Sequence, residues 1–259
     1  MRLSRFTFPL SLSSLLMVLV ISPACNVADK NKPKFKPEPV DQVVPLQASV
    51  FDYSKIKNTK EKKKIFFDTL RPIIKNKNQV INNTRKRVLF AKKNNTDKQW
   101  LKTIADKYSV EWDESNPNWK KLLSRIDIIP ADLAMTQAAN ESAWGSSRFA
   151  QKGNNIFGQW CYKKGCGLVP KRRDAGTKHE VRKFNSINES IASYIHNINT
   201  GRVYAKLRNI REQQRAAGKT LNAMKLAIGL EKYSTRRMAY VKEIQSMIKT
   251  NRRLMRGSK

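Results

Sequence analysis

Apolar residues recur at helical spacing over most of this 259-residue chain. Such spacing predicts helices with one buried face, and therefore a mainly α fold. A short alternating stretch at residues 178–184 instead predicts a strand, which together with residues 159–162 would form a small antiparallel sheet or an irregular β-rich lobe. Pro72 is expected to kink or divide the first long helix. The predicted helices cover residues 59–92, 97–110, 119–125, 131–144, 186–200, 202–217, 220–230 and 235–254.

The helix predicted to begin at residue 131 carries the strongest candidate for chemistry. Leu133, Gln137, Glu141 and Trp144 follow one another at spacings of four, four and three, which places them on one face. Gly145 then suits a left-handed helix end. Burial against an aromatic ring and the negative end of the helix dipole would both raise the pKa of Glu141, which favours a general acid. A solvated surface glutamate is the alternative that spacing alone leaves open.

The first 24 residues have the pattern of a secretory signal peptide. Arg2 and Arg5 precede a mostly apolar run at residues 10–21, and small residues with a proline follow at 22–24. A run of twelve residues is too short to span a bilayer as a helix. We therefore expect an exported protein.

Cys25 follows the predicted cleavage point directly, an arrangement that resembles a bacterial lipoprotein signal with Cys25 lipid-modified. A free cysteine near the new N-terminus is the alternative. Residues 25–57 are rich in proline and lysine and predict an extended tether. Residues 58–124 are then an N-terminal helical extension, and residues 125–259 the main domain.

The charge balance limits the partners. There are 52 Lys and Arg residues against 20 Asp and Glu, a net charge of +32. Such a protein is expected in polyanionic surroundings, which nucleic acid, an anionic membrane or an acidic cell-wall polymer would provide. Export makes nucleic acid the least favoured of the three.

Two further cysteines, Cys161 and Cys166, predict a short disulfide loop with Gly165 permitting the turn. A metal site is the competing interpretation. It is disfavoured because only His179 and His196 could add imidazole ligands, and no second Cys or His pair has ligand spacing.

Two motifs carry a family resemblance. The pattern Gln-x-x-x-Glu-Ser-x-Trp-Gly-x-Ser at residues 137–147 and Asn-Asn-Ile-Phe-Gly at 154–158 resemble the glucosaminidase domain of bacterial peptidoglycan hydrolases, glycoside hydrolase family 73. The wider run 137–170 resembles more closely the Bax-type bacterial proteins that carry this domain. Ala143 stands where the family commonly has glycine. The resemblance covers roughly residues 125–254 and implies a lysozyme-like helical domain, with a β-hairpin lobe across a cleft and additional N-terminal helices flanking it.

The resemblance also implies roles for individual residues. Glu141 becomes the proton donor, and Glu180 is preferred over Asp174 as the second carboxylate, because the family has a second glutamate at a similar distance on a mobile hairpin. Pairing of Glu180 with Arg182 or neighbouring lysines is the surface alternative, and the acetamido group of the substrate could replace a second carboxylate. The residues expected to shape the cleft or contact sugar are Gln137, Trp144, Asn155, Phe157, Trp160, Tyr204 and Tyr233.

The implied function is hydrolysis of the β-1,4 bond after N-acetylglucosamine in peptidoglycan, in the bacterial periplasm or cell envelope. Because this chemistry runs on carboxylates, no metal or cofactor is expected. We further expect a monomer that binds glycan strands and not nucleic acid. A muramidase or lytic transglycosylase on the same fold, a non-catalytic cationic wall-binding protein, and a secreted cationic binder of nucleic acid or a lipid surface are the alternatives.

Overall fold

Helices make up most of the computed structural model, which describes residues 33–171 and 176–257. The predicted signal peptide, Cys25 and Asp174 lie outside the described residues. Within these ranges no helix combines the length and the apolar character needed to cross a membrane. The helices are α1 (Thr59–Asn94), α2 (Lys98–Lys107), α3 (Trp119–Arg125), α4 (Ala131–Ser142), α5 (Arg148–Gly153), α6 (Ile187–Thr200), α7 (Ala205–Ala216), α8 (Ala223–Ala227) and α9 (Met238–Arg256).

The first helix passes through its proline without dividing. α1 is one helix of 36 residues with Pro72 inside it. Leu70, Ile73 and Ile74 beside the proline are fully or almost fully buried, so packing outweighs the hydrogen bond that proline removes. Arg71 also connects α1 to α9, since its Nε donates to the Met255 carbonyl at 2.8 Å near the end of α9.

α4 lies at the centre of the core, in contact with α1, α8 and α9. Its alanines allow close approach on several sides, and Ala134, Ala138 and Ala139 are buried with Leu133. A helix buried nearly all round must place any polar group against a partner. The architecture is the mainly helical, lysozyme-like one that was predicted.

A small antiparallel sheet forms the β lobe. Its strands are β1 (Trp160–Cys161), β2 (Gly167–Leu168) and β3 (Glu180–Arg182), in the order β1-β3-β2. The predicted pairing of residues 159–162 with 178–184 is confirmed, with Trp160 opposite Val181. β2 was not predicted, because Gly167 and Leu168 include no β-branched or aromatic residue of the kind that marks a strand. Gly167 has no room for a side chain, since a Cβ there would lie 2.0 Å from the Val181 carbonyl oxygen.

Within residues 34–57 several side chains pack against the helices, whereas an extended tether is expected of residues 25–57. Residues Lys34–Lys259 form one compact unit. We call residues 46–53 the strap. Its Leu46 N–H donates to Asn188 Oδ1 at 3.0 Å, and its Ala48 and Phe51 are buried. The proline and lysine content of the segment concealed these few apolar anchors.

Candidate active site

A cleft of about 930 Å³ lies between the end of α4, the β lobe and α6. Glu141 reaches its wall from the last turn of α4. The β lobe contributes Trp160 and Tyr162, and the segment before α9 contributes Tyr233. The cleft therefore lies where the resemblance placed it, between the acid-bearing helix and the lobe.

Glu141 is a half-buried carboxyl group with few partners. Tyr240 donates its hydroxyl to Oε1 at 2.9 Å, and the Asn140 amide approaches the same oxygen at 3.3 Å. Burial raises the pKa of Glu141, and this effect outweighs the hydrogen bonds from Tyr240 and Asn140, which lower it. Such a carboxyl group keeps its proton at higher pH than an ordinary glutamate and can act as an acid.

A chain of oriented hydrogen bonds ends on Glu141. Tyr194 donates its hydroxyl to Gln137 Oε1 at 2.6 Å, and Gln137 Nε2 donates to the Tyr240 oxygen at 2.9 Å. Because the Tyr240 oxygen accepts from Gln137, its own hydrogen is directed to Glu141. Gln137 is completely buried, so the structure places it behind Glu141, where it orients Tyr240, and not in the cleft wall where sugar would bind.

Tyr240 was not among the predicted site residues. It falls four residues before Ile244 and eight before Ile248, so spacing alone assigns it to the buried stripe of α9. The signal that would have found it is chemical: a buried tyrosine hydroxyl needs a hydrogen-bond partner. Tyr233, which was predicted, stacks on the Tyr240 ring with centroids 5.3 Å apart and lines the cleft itself.

The turn after Glu141 sends Trp144 away from the cleft. The helix ends at Ser142, and Ala143, Trp144 and Gly145 have φ values of 49°, 59° and 83°. The predicted shared face of Glu141 and Trp144 is therefore wrong, because three left-handed residues break the helical spacing. Trp144 packs edge-on against Phe67 of α1 at 5.4 Å instead. Its ring is not what desolvates Glu141.

The same turn depends on its small residues. Ser142 Oγ donates to the Ala138 carbonyl at 2.6 Å and accepts from the Gly145 N–H at 2.7 Å. A Cβ on Gly145 would lie 2.3 Å from the ring of Phe51 in the strap. The Ser and Gly of the motif thus fix how the chain leaves α4.

Asn155 holds the loop at the floor of the cleft. Its Nδ2 donates to the carbonyl oxygens of Gln159 and Arg182, both at 2.9 Å, and its Oδ1 accepts from the Gln159 N–H at 3.0 Å. The side chain is almost completely buried. Its amide is engaged with backbone groups of the loop and not directed at a ligand, so its contribution to the cleft stays a prediction.

Aromatic rings cover both sides of the cleft. Trp160 is 56% exposed and stacks on His179 with ring centroids 3.9 Å apart. On the opposite side Tyr233 donates to the Phe157 carbonyl at 3.1 Å, and Tyr204 lies beside it. Four of the five predicted aromatic residues (Phe157, Trp160, Tyr204 and Tyr233) line the cleft, and Trp144 does not. The exposed rim offers flat apolar faces of the kind on which pyranose rings stack.

The β lobe is closed by the predicted disulfide between Cys161 and Cys166. Glu180 lies under this loop and is 7% exposed. Its Oε1 accepts from the Gly165 N–H at 2.9 Å and its Oε2 from the Gly167 N–H at 2.8 Å. Glu180 does not line the cleft, so its role as second carboxylate stays a prediction.

Ligand atoms of Cys161, Cys166 and Glu180 lie within 4.8 Å of one another, a separation that would suit a metal ion. The two sulfur atoms are joined in the disulfide, however, and metal binding requires thiolates. Cys161 and Cys166 therefore form a structural disulfide and do not serve as metal ligands.

Comparison with known proteins identifies the family. The family model for the Glucosaminidase domain, described as mannosyl-glycoprotein endo-beta-N-acetylglucosaminidase, matches residues 116–253. Protein bax of Escherichia coli (strain K12) is 33% identical over 217 residues, which cover 80% of this chain and 76% of that protein. No solved structure matches. The chain therefore belongs to the Glucosaminidase family of glycoside hydrolases.

Proposed function

We propose that this glycoside hydrolase is an exported enzyme that cleaves the β-1,4 bond after N-acetylglucosamine in peptidoglycan, with Glu141 as the general acid. The observation that carries the proposal is the environment of Glu141. It lines the cleft, its pKa is raised by burial, and a hydrogen-bonded chain fixes its orientation.

The hydrogen bonds suggest how Glu141 acts. Within the described residues, the bonds from Tyr240 and Asn140 both end on Oε1, which leaves Oε2 to carry the proton. Oε2 would protonate the glycosidic oxygen as the bond to the anomeric carbon breaks. Once Glu141 has lost its proton, the hydrogen bond from Tyr240 ends on a charged carboxylate and becomes stronger. This bond stabilises the negative charge that develops on Glu141.

The cleft suits a charged glycan. The exposed rings of Trp160 and Tyr162 provide stacking faces, while Arg182 and Lys232 line the same cleft and would attract the carboxylates of peptide stems. The net charge of +32 supports concentration of the enzyme at an anionic wall. These features favour peptidoglycan over a neutral polysaccharide.

Export and anchoring remain part of the proposal. The signal-like residues 1–24 and the following Cys25 would place a lipid-anchored, monomeric enzyme in the periplasm or envelope of a bacterium. The disulfide at Cys161 and Cys166 supports an oxidising compartment.

A lytic transglycosylase is a second candidate, because one observation favours it. Glu180 is bound to the backbone of its own loop and does not line the cleft, and a transglycosylase needs no carboxylate to activate water. The two candidates differ in products, since a transglycosylase leaves anhydro ends and a glucosaminidase leaves N-acetylglucosamine reducing ends.

The test is digestion of purified peptidoglycan with the wild type and with Glu141→Gln, followed by mass spectrometry of the ends. We expect N-acetylglucosamine reducing ends from the wild type and none from the variant. Glu111→Gln, which removes an exposed carboxylate elsewhere, is the matched control and should retain full activity. Anhydro ends would establish the transglycosylase instead. Failure of the wild type to release any product would contradict both candidates.

A further inference from the structure

A second cavity, of about 180 Å³, lies between α1, α3 and α7 and shares no lining residue with the Glu141 cleft. Its walls are strongly basic. Two carboxylates line it, those of Asp127 and Glu212. The cations that line it are Arg85, Lys120, Arg208, Arg211 and Arg215.

Asp127 interacts with only some of these cations. Arg215 binds both of its oxygens, with Nη2 to Oδ1 at 2.8 Å and Nε to Oδ2 at 3.1 Å. The Arg211 Nε lies 3.8 Å from Oδ2. Burial acts to raise the pKa of Asp127, but the Arg215 hydrogen bonds and the nearby guanidinium charges outweigh it and hold the pKa below its usual value. The carboxylate is therefore ionised, and positive charge still exceeds negative in the cavity.

Arg211 has a complete structural explanation. It is buried, and its Nη1 donates to the Ile128 carbonyl at 3.0 Å and to Asn199 Oδ1 at 2.8 Å, while Nη2 donates to the Ser124 carbonyl at 2.8 Å. These bonds tie α7 to the end of α3 and to the segment before α4. No ligand is needed to account for Arg211.

The neighbouring arginines use only part of their hydrogen-bonding capacity. Arg85 donates through Nη1 to the Ile126 carbonyl at 2.9 Å, and Arg208 through Nη1 to the Gly201 carbonyl at 2.8 Å. Within the described part of the chain, no hydrogen bond involves Nε or Nη2 of either side chain, or Nη1 of Arg215. A guanidinium group has five N–H donors, so several remain available around one cavity.

Repulsion among these cations makes an anion favourable there. The guanidinium groups are partly or wholly withdrawn from water, where like charges repel more strongly than at an open surface. Burial lowers the pKa of Arg85, whereas Asp127, with Oδ2 4.0 Å from the Arg85 Nη1, acts to raise it and the charge of Arg215 acts to lower it. Lys120, which is exposed at the mouth of the cavity, adds a cation that makes no ion pair among the described residues.

We propose that this cavity binds a phosphate group, held by the spare guanidinium donors of Arg85, Arg208 and Arg215 and by Lys120. Arginine forks match the oxygens of a tetrahedral oxyanion, and donors supplied from α1, α3 and α7 would surround it on several sides. The phosphate would come either from solution or from a phosphoester on a lipid headgroup or envelope polymer. This site is independent of the proposed hydrolysis.

The test is isothermal titration calorimetry of the protein with inorganic phosphate and, separately, with glycerol 3-phosphate, at an ionic strength fixed with chloride. Lys120→Gln should weaken phosphate binding by roughly 3- to 10-fold, and Glu212→Gln should tighten it by about threefold, because each changes one charge at the cavity. Arg208→Gln should weaken binding more than tenfold, through loss of charge-assisted hydrogen bonds.

Lys121→Gln is the matched control, since Lys121 is exposed on the same helix but does not line the cavity. It should change binding by less than about twofold. Preference for glycerol 3-phosphate would identify a phosphoester as the ligand, and binding of inorganic phosphate alone would identify the free ion; either supports the site. Absence of binding for both probes, or equal weakening by Lys120→Gln and Lys121→Gln, would overturn it.

Discussion

Glu141 and Glu180 are carboxyl groups on opposite sides of the cleft region, the first half-buried and the second buried. They differ in the groups that donate hydrogen bonds to them. Among the described residues, the two hydrogen bonds to Glu141 end on one oxygen and come from a phenol and an amide side chain. Glu180 has a backbone N–H on each oxygen, from Gly165 and Gly167. One carboxyl group is left incompletely bonded beside open space, and the other is fixed within a loop.

From this difference we expect a chemical role for Glu141 and a structural role for Glu180. A general acid must release a proton and regain it. Burial with few hydrogen bonds suits this role, because both the protonated and the ionised carboxyl group are then accessible. A carboxylate that accepts two backbone N–H groups stabilises the loop that donates them. The β-lobe loop carries Tyr162 to the cleft rim, so Glu180 affects the cleft through the loop it holds.

The largest effect should come from exchanging each glutamate for glutamine. Glu141→Gln removes the proton donor and should lower hydrolysis about 1,000-fold. Glu180→Gln keeps the shape but donates where it should accept, so we expect loosening of the loop and a loss of roughly tenfold. Turnover on peptidoglycan fragments and thermal unfolding of both variants would measure these effects.

Equal inactivation by the two substitutions, with unchanged thermal stability of Glu180→Gln, would reverse the comparison. Glu180 would then have to leave Gly165 and Gly167 during the reaction and serve as the second carboxylate. Glu180→Asp, which keeps the charge on a shorter stem, would distinguish the roles, because activity that depends on charge alone should partly return.

The next effect concerns the chain of hydrogen bonds behind Glu141. Tyr240→Phe should lower turnover roughly 10- to 100-fold, because it removes one hydrogen bond to a developing charge. That bond stabilises the ionised form, so its loss raises the pKa of Glu141 further. Activity that requires protonated Glu141 should therefore persist to higher pH.

The pH dependence of turnover, measured on both sides of neutrality, checks the role of Tyr240. Tyr233→Phe is the matched control, since Tyr233 donates to the Phe157 carbonyl and not to Glu141. It should leave the alkaline side of the profile in place. A profile for Tyr240→Phe that moved to lower pH would contradict the proposed orientation of this bond.

The smallest expected effect compares two tryptophans. Trp160→Ala should raise KM roughly tenfold with little loss of stability, because the ring is exposed in the cleft. Trp144→Ala should leave KM unchanged but cost about 3 kcal/mol of unfolding free energy, because it empties a site packed against Phe66 and Phe67. Kinetics and chemical denaturation of both variants would check this contrast, and a raised KM for Trp144→Ala would contradict it.

Hydrophobic spacing predicted the longer helices because their buried stripes extend over several turns, but it missed α5, which has only 6 residues. It predicted the position of Glu141 but not the path of the chain after it, since Trp144 continues the helical pattern while the backbone turns left-handed at Ala143. Tyr240 was hidden in an apolar stripe, and the contacts that define its role come from residues 99 and 103 positions away. Side-chain networks of this range have no local signature.

The average composition of residues 25–57 predicts a tether, whereas a few apolar residues of the strap determine how this stretch packs. The strap lies in a stretch rich in proline and lysine, yet Phe51 is buried against Phe66 with centroids 4.9 Å apart. Glu180 shows the same limit in another form. Its distance along the chain from Glu141 agreed with the resemblance, whereas its bonding depends on how the disulfide loop folds.

The strap also sets an order of events during synthesis. Leu46 pairs with Asn188, 142 positions later, and Tyr53 donates to the Trp144 carbonyl, 91 positions later. A chain that emerges from its N-terminus must therefore hold these early residues without a partner until residue 188 has appeared. Phe51 can pack against Gly145 only once the turn after α4 has emerged, and the contact of Leu46 waits longer still, so the strap folds after much of the chain has been made.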